Sequence, residues 1–162
     1  MNAFNVFFLC TGNSARSILA ESYLNHAGGR AFRAYSAGSN PNGKVHPLAV
    51  ETLRASGITV GDARSKSWDE FTRPGAPHTN LVVTVCDNAA GEVCPLWPGA
   101  PSKAHWSFTD PAAFVGTEAG KRAEFARVFA EIRLAIDQLT ELPVATLDAA
   151  SLGRRVTEVG PR

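Results

Sequence analysis

Apolar and polar positions along this chain follow two different spacings, which take turns. Val6-Phe7-Phe8-Leu9 is an unbroken run of apolar, β-favouring residues, the pattern of a short buried strand that ends at Cys10. After Arg16 the spacing lengthens. Ile18, Leu19, Tyr23 and Leu24 share one helical face, and Gly28-Gly29 stops that helix just after His26. Arg33 to Ala37 predicts a second strand, closed by the turn-rich Gly38-Ser39-Asn40-Pro41-Asn42-Gly43. Leu48, Val50, Leu53 and Ala55 predict a helix entered through His46-Pro47 and ended by Gly57. Residues 58–80 are irregular, with a short helical turn around Trp68 to Phe71. Leu81-Val82-Val83-Thr84-Val85 is a third strand that runs straight into Cys86. A long loop from Asp87 to Pro101 comes next, rich in glycine and proline, and then a last strand over Lys103 to Phe108. Phe125, Val128, Phe129, Ile132, Ile136 and Leu139 mark the final amphipathic helix, bounded by Pro143.

Strands alternating with helices predict an α/β fold in three layers, a central four-stranded parallel sheet with helices on both faces. Residues 1–143 form this domain, and residues 144–162, weakly patterned, read as a C-terminal tail with room for one short helix. Ligands of such sheets bind beyond the carboxyl ends of the strands. Cys10, Cys86 and Asp110 each stand at or just after such an end, so three chemically capable residues converge on one rim.

The strongest local signal is the loop Cys10-Thr11-Gly12-Asn13-Ser14-Ala15-Arg16-Ser17. It joins a strand end to a helix start, where unpaired N–H groups and the helix dipole favour an anion. Gly12 permits close approach of backbone to ligand, and Asn13 tolerates unusual dihedrals. The amides of Thr11, Gly12, Asn13, Ser14, Ala15 and Arg16 are the candidate oxyanion cradle, with the planar Arg16 fork matching a tetrahedral oxyanion. These surroundings are expected to lower the Cys10 thiol pKa and make it a nucleophile, with the Ser17 hydroxyl donating to the sulfur. The loop lacks the Lys of a nucleotide-binding G-x4-G-K-[ST] pattern.

Composition narrows the setting. The chain has 162 residues, 44% hydrophobic and 19% charged, with a net charge of +1. That suits one soluble domain and gives no case for nucleic-acid binding. Met1 to Cys10 has no signal-peptide pattern, and no stretch is apolar enough to span a membrane, so the expected location is the cytoplasm. Three cysteines, Cys10, Cys86 and Cys94, argue against a disulfide framework, and no zinc-site spacing accompanies them. His26, His46, His78 and His105 show no ligand spacing, and Trp68, Trp97 and Trp106 read as packing residues.

The C-x5-R-S loop, the Asp110-Pro111 pair and the α/β layout, over roughly residues 5 to 140, resemble the low-molecular-weight protein tyrosine phosphatase family. Within it, Val83-Thr84-Val85-Cys86-Asp87-Asn88-Ala89-Ala90-Gly91-Glu92-Val93-Cys94-Pro95 and Lys103-Ala104-His105-Trp106 are similar to the arsenate reductase branch. That resemblance implies a three-cysteine relay. Cys10 attacks arsenate held by the loop and Arg16, while Asp110 protonates the departing oxygen. Cys86 then forms a disulfide with Cys10 and releases arsenite. Cys94 resolves it to Cys86–Cys94, which thioredoxin, or glutathione with glutaredoxin, returns to the dithiol. Phosphate and sulfate would compete as oxyanions. The implied protein is a monomer without cofactor, membrane or nucleic-acid partner.

The chain departs from the pattern in places. Members often carry a further Cys where this chain has Ala15, and the Cys86–Cys94 spacing is one residue longer than in the thioredoxin-linked members. Some relatives bind potassium through residues matching Asn13, Glu21 and Ser36 plus a downstream Asp. Here Lys66 is expected to supply its ammonium instead, so no metal is expected. Two other readings stay open. One is a tyrosine phosphatase using Cys10, Arg16 and Asp110 alone, although Ala112-Ala113-Phe114 stands where such enzymes place a tyrosine pair. The other is a redox-sensing binding module.

Overall fold

The computed structural model describes residues 3–61, 63–86 and 101–161. Cys94, Trp97 and most of the expected loop 87–101 lie outside the described residues. In chain order the elements are β1 (Phe4–Cys10), α1 (Arg16–Ala27), β2 (Phe32–Gly38), α2 (Pro47–Ala55), a 3-10 turn (Trp68–Phe71), β3 (Leu81–Thr84), β4 (Ser102–His105), a second 3-10 turn (Pro111–Ala113), α3 (Glu118–Thr140) and α4 (Ala149–Val159). The four strands form one sheet in the order β2-β1-β3-β4, all parallel.

The unbroken apolar run of β1 reflects its central place. Val6, Phe7, Phe8 and Leu9 are all fully buried, because both faces of an inner parallel strand are covered. Val6, Phe8 and Cys10 point into the main core, built with α1, α2 and α3 through Leu19, Leu24, Leu53, Phe125, Ile132 and Ile136. Phe7 and Leu9 point the other way, into a smaller cluster with Ala37, Phe71 and Val82, backed by Tyr35 and Trp68. The chain therefore has the expected α/β layers, with the 3-10 turn covering part of the second face. Among the described residues no helix is long and apolar enough to cross a membrane.

The starts of α2, α3 and α4 are capped by side chains. Pro47 opens α2 while His46 Nδ1 accepts the Leu48 N–H at 3.1 Å. Helix α3 starts seven residues before Phe125, where the Thr117 hydroxyl accepts the Gly120 N–H at 3.0 Å. The last strand is shorter than its pattern predicts. Trp106 still donates to the Thr84 carbonyl at 2.8 Å, but the Ser107 N–H turns to the Pro161 carbonyl at 3.1 Å, because β3 ends at Thr84.

Residues 144–162 differ from a loosely appended tail. Asp148 caps α4 by accepting the Ser151 N–H at 2.8 Å, and Leu152 and Val156 join the main core. The helix lies along β4, an edge strand that would otherwise present unpaired backbone groups.

Candidate active site

The loop after β1 is shaped by where its carbonyls go. The Thr11 carbonyl accepts from the Asn40 N–H at 3.0 Å, that of Gly12 from Asn42 at 2.9 Å, and that of Ser14 from His46 at 2.8 Å. Ser65 Oγ adds a second bond to the Gly12 carbonyl at 3.1 Å. No peptide bond is cis among the described residues. In a trans peptide the N–H points opposite the preceding carbonyl. The Gly12, Asn13 and Ala15 N–H groups are therefore turned away from these partners, as an oxyanion cradle requires. The turn-rich stretch from Gly38 to Gly43, legible in the sequence only as a turn, is the outer wall that holds the loop.

Glycine is required at position 38 and leaves room at position 12. A Cβ at Gly38 would stand 2.4 Å from the Thr11 carbonyl oxygen and 2.7 Å from that of Cys10. At Gly12 it would meet the Asn42 side chain at 3.1 Å.

Asn13 is the internal brace. It is fully buried and left-handed, at φ 47°. Its Nδ2 donates to Ser17 Oγ at 2.8 Å and to Ser36 Oγ at 2.9 Å, while its Oδ1 accepts the Lys66 N–H at 2.9 Å. Ser17 thus enters this network as an acceptor and keeps its own hydroxyl proton to give.

Behind the loop, Ser36 Oγ donates to Glu21 Oε1, and Lys66 Nζ lies 3.7 Å from the same oxygen. Lys66 Nζ also donates to the Arg64 carbonyl at 2.9 Å. Burial lowers the Lys66 pKa and raises that of Glu21, and each partner's charge opposes the shift of the other. The ammonium thus faces the Glu21 oxygen that also accepts from Ser36. Among the described residues no group of three or more His, Cys, Asp or Glu gathers as metal donors.

The sheet brings two thiols together. Cys10 ends β1, and Cys86 comes after β3, just beyond Val85, whose N–H donates to the Leu9 carbonyl at 2.9 Å. Both are buried, and Cys86 is the neighbour that acts most strongly on the Cys10 thiol. Thr11 Oγ1 is 3.9 Å from Cys86 Sγ, within hydrogen-bond reach for sulfur. The expected depression of the Cys10 pKa is not what this geometry gives. The Cys86 side chain and burial push the Cys10 thiol well up, against the Arg16 charge and a backbone hydrogen bond from Thr11, which pull it down. The anion loop alone would favour a thiolate, but the second sulfur competes for the proton.

Arg16 and Asp110 meet from opposite ends of the sequence. Arg16 Nη1 donates to the Phe108 carbonyl at 3.0 Å, and Nη2 lies 3.7 Å from Asp110 Oδ2. Asp110 Oδ1 accepts the Ala112 N–H at 3.0 Å, which fixes the carboxylate at the head of the second 3-10 turn. Oδ2 faces the site on a half-exposed side chain. One rim thus holds a thiol pair, a backbone cradle, a guanidinium and a carboxyl group. Such a set can attack a tetrahedral oxyanion, stabilise its charge, protonate a leaving oxygen and then form a disulfide.

Residues 5–154 match the family described as low molecular weight phosphotyrosine protein phosphatase. The chain belongs to that family. An arsenate reductase of Halalkalibacterium halodurans is 40% identical over 141 residues, covering 87% of this chain and 98% of the relative. In structure, this family member resembles the Corynebacterium glutamicum thioredoxin-dependent arsenate reductase Cg_ArsC1', with a TM-score of 0.55 and 26% identity over 83% of this chain and 62% of that one. It also resembles the low molecular weight protein tyrosine phosphatase of T. tengcongensis, with a TM-score of 0.67 and 26% identity over 86% and 99% of the two chains. Shape alone does not separate the two chemistries within the family. The second sulfur does bear on it.

Of the site residues read from the sequence, the structure gathers Cys10, Arg16, Ser17, Cys86 and Asp110 with the loop Thr11 to Ala15. Cys94 lies outside the described residues. Sequence reasoning passed over Gly38, Asn40, Asn42, Ser65 and Phe108. These act through backbone bonds and close approach, and only the density of turn residues hinted at any of them.

Proposed function

We propose that this protein reduces arsenate to arsenite through a relay of Cys10, Cys86 and Cys94, with the oxidised enzyme regenerated by thioredoxin. The observation that carries this reading is the placing of Cys86 beside Cys10 at the rim, both buried at the ends of adjacent strands, with Cys86 the strongest influence on the Cys10 proton. A phosphatase needs one sulfur and a water, whereas a reductase needs a second sulfur in reach of the first.

Arsenate sits in the cradle of Thr11 to Arg16, with the Arg16 fork on its oxygens. Cys10 sulfur attacks arsenic, its thiol proton passing to an arsenate oxygen, as Asp110 gives a proton to the departing oxygen, which leaves as water. A Cys10–arsenic(V) adduct remains. Cys86 thiolate attacks Cys10 sulfur, the sulfur–arsenic bond breaks, and its electron pair stays on arsenic. Arsenic(III) departs as arsenite, and the two sulfurs are left as a disulfide. Cys94 thiolate attacks Cys86, frees Cys10 and forms Cys86–Cys94. A thioredoxin dithiol, or glutathione with glutaredoxin, supplies the two electrons that reopen it.

The names of the relatives support arsenate as substrate, and that of the Corynebacterium protein supports thioredoxin. A slow phosphatase activity accompanies the reduction, because phosphate has the same shape and charge as arsenate in this cradle. Purified protein incubated with arsenate and separate thioredoxin and glutathione/glutaredoxin systems tests the proposal. Arsenite release with one of them is expected. Hydrolysis of aryl phosphates without any arsenite would replace it by the phosphatase reading.

A further inference from the structure

The C-terminal segment lies away from the oxyanion loop, yet its contacts lead back to it. Helix α4 is seated against β4 so closely that a Cβ at Gly153 would come within 2.8 Å of the Lys103 carbonyl oxygen. Ser102 Oγ ties the start of the helix by donating to the Ala149 carbonyl at 2.9 Å. The residues after α4 then cross the end of the strand. Fully buried Trp106 donates Nε1–H to the Val156 carbonyl at 2.8 Å, and Ser107 donates its N–H to the Pro161 carbonyl at 3.1 Å. Gly160 lies directly on the indole, where a Cβ would stand 1.9 Å from Trp106 Cδ1.

Directly after Trp106 and Ser107, the chain enters the segment that serves the site. Phe108 packs edge-on against Trp106, with centroids 6.2 Å apart, and its carbonyl accepts Arg16 Nη1 at 3.0 Å. Asp110 stands two residues further on, with Oδ2 3.7 Å from Arg16 Nη2. The Trp106 N–H bonds the last residue of β3, where that strand ends. The tail supplies the next partner.

We infer that Gly160 and Pro161 are positioning residues, which fix Trp106 and Ser107 and so place Asp110 for proton transfer to the departing oxygen. This rests on the proposed role of Asp110 as general acid. The tail then does more than cover an edge strand. Misplacing a catalytic group by about 1 Å can cost about a hundredfold in rate.

A double-mutant cycle tests it. Removal of residues 160–162, and separately Gly160→Ala, are each combined with Asp110→Asn, and thermal melting confirms folding. Gly160→Ala keeps the whole chain and carries the test if the shortened protein does not fold. Steady-state arsenate reduction is measured together with hydrolysis of phenyl phosphate and p-nitrophenyl phosphate. Each tail variant is expected to lower kcat about tenfold or more, with KM for arsenate nearly unchanged. The loss on phenyl phosphate should exceed that on p-nitrophenyl phosphate, whose leaving group needs little protonation. In the Asp110→Asn background the same tail changes should cost nothing further.

Wild-type rates in both tail variants would overturn the inference. So would an undiminished loss in the Asp110→Asn background, which marks a purely structural role. If Asp110→Asn alone shows no dependence on the leaving group and no loss of reduction, the acid assignment falls and this inference with it. A normal Asp110→Asn response beside insensitive tail variants overturns the inference alone.

Discussion

Cys10 and Cys86 are buried side by side at the carboxyl ends of adjacent parallel strands, and Cys86 is the largest influence on the Cys10 proton. The sheet register makes this inevitable, because Leu9 pairs with Thr84 and the two sulfurs come one and two residues later.

The pairing has a measurable sign. Because the Cys10 pKa is raised, the folded state holds its proton into alkaline pH, and alkylation by iodoacetamide should be slow at neutral pH. The linked stability is complete below the unfolded thiol's pKa and is lost as pH rises through the higher folded value. Cys86→Ala removes the main cause and leaves the Arg16 charge in place. The Cys10 alkylation profile should then move to lower pH, read by mass spectrometry of the modified peptide. An unmoved profile would show that burial alone sets the proton affinity.

Gly38→Ala should damage catalysis through the backbone. The added Cβ meets the Thr11 and Cys10 carbonyl oxygens at 2.4 and 2.7 Å, and neither can swing aside as a side chain would. Activity should fall about a hundredfold, from displacement of the loop, with a stability loss of about 1–3 kcal/mol. Steady-state kinetics and thermal melting read the two effects, and near-normal kcat/KM would mean that the loop absorbs the shift.

Lys66→Met should leave Glu21 buried with only the weaker pull of the Arg64 charge. Breaking a buried pair in this way costs about 3 kcal/mol near neutral pH. Burial already raises the Glu21 pKa, and removing the Lys66 charge that opposes it raises the pKa further. Protonated Glu21 fits the folded state, so the deficit should be smallest in acid and grow as pH rises through the folded value. Denaturant melts between roughly pH 5 and pH 8, the usual range of maximal stability, should show that slope. Adding Glu21→Gln should flatten it.

Much of this site is visible in the chain before folding, for a physical reason. A strand of four buried residues, a glycine and an asparagine, then Arg16 and Ser17, encode a local strand–loop–helix unit whose chemistry depends on nearest neighbours. The α/β alternation predicts which strand ends share a rim, and so Cys86 and Asp110 are legible as partners of Cys10. The proton balance of Cys10 is not, since it turns on contact with Cys86, which only the sheet register creates. The roles of Asn40, Asn42 and Ser65 are hidden for the same reason, because they hold loop carbonyls from distant sequence, and Gly38 leaves those carbonyls room. The integration of α4 is masked because few residues carry its core-facing side, Leu152, Gly153 and Val156 with Val159 packed beside them.

The relay is tested most directly by Cys94→Ser, incubated for one turnover with arsenate and no reductant and then examined by mass spectrometry without reduction. The account predicts one arsenite per protein and a trapped Cys10–Cys86 disulfide, with further turnover blocked even when thioredoxin is added. Arsenite formed without any Cys10–Cys86 species, or repeated turnover with thioredoxin at the wild-type rate, would contradict it.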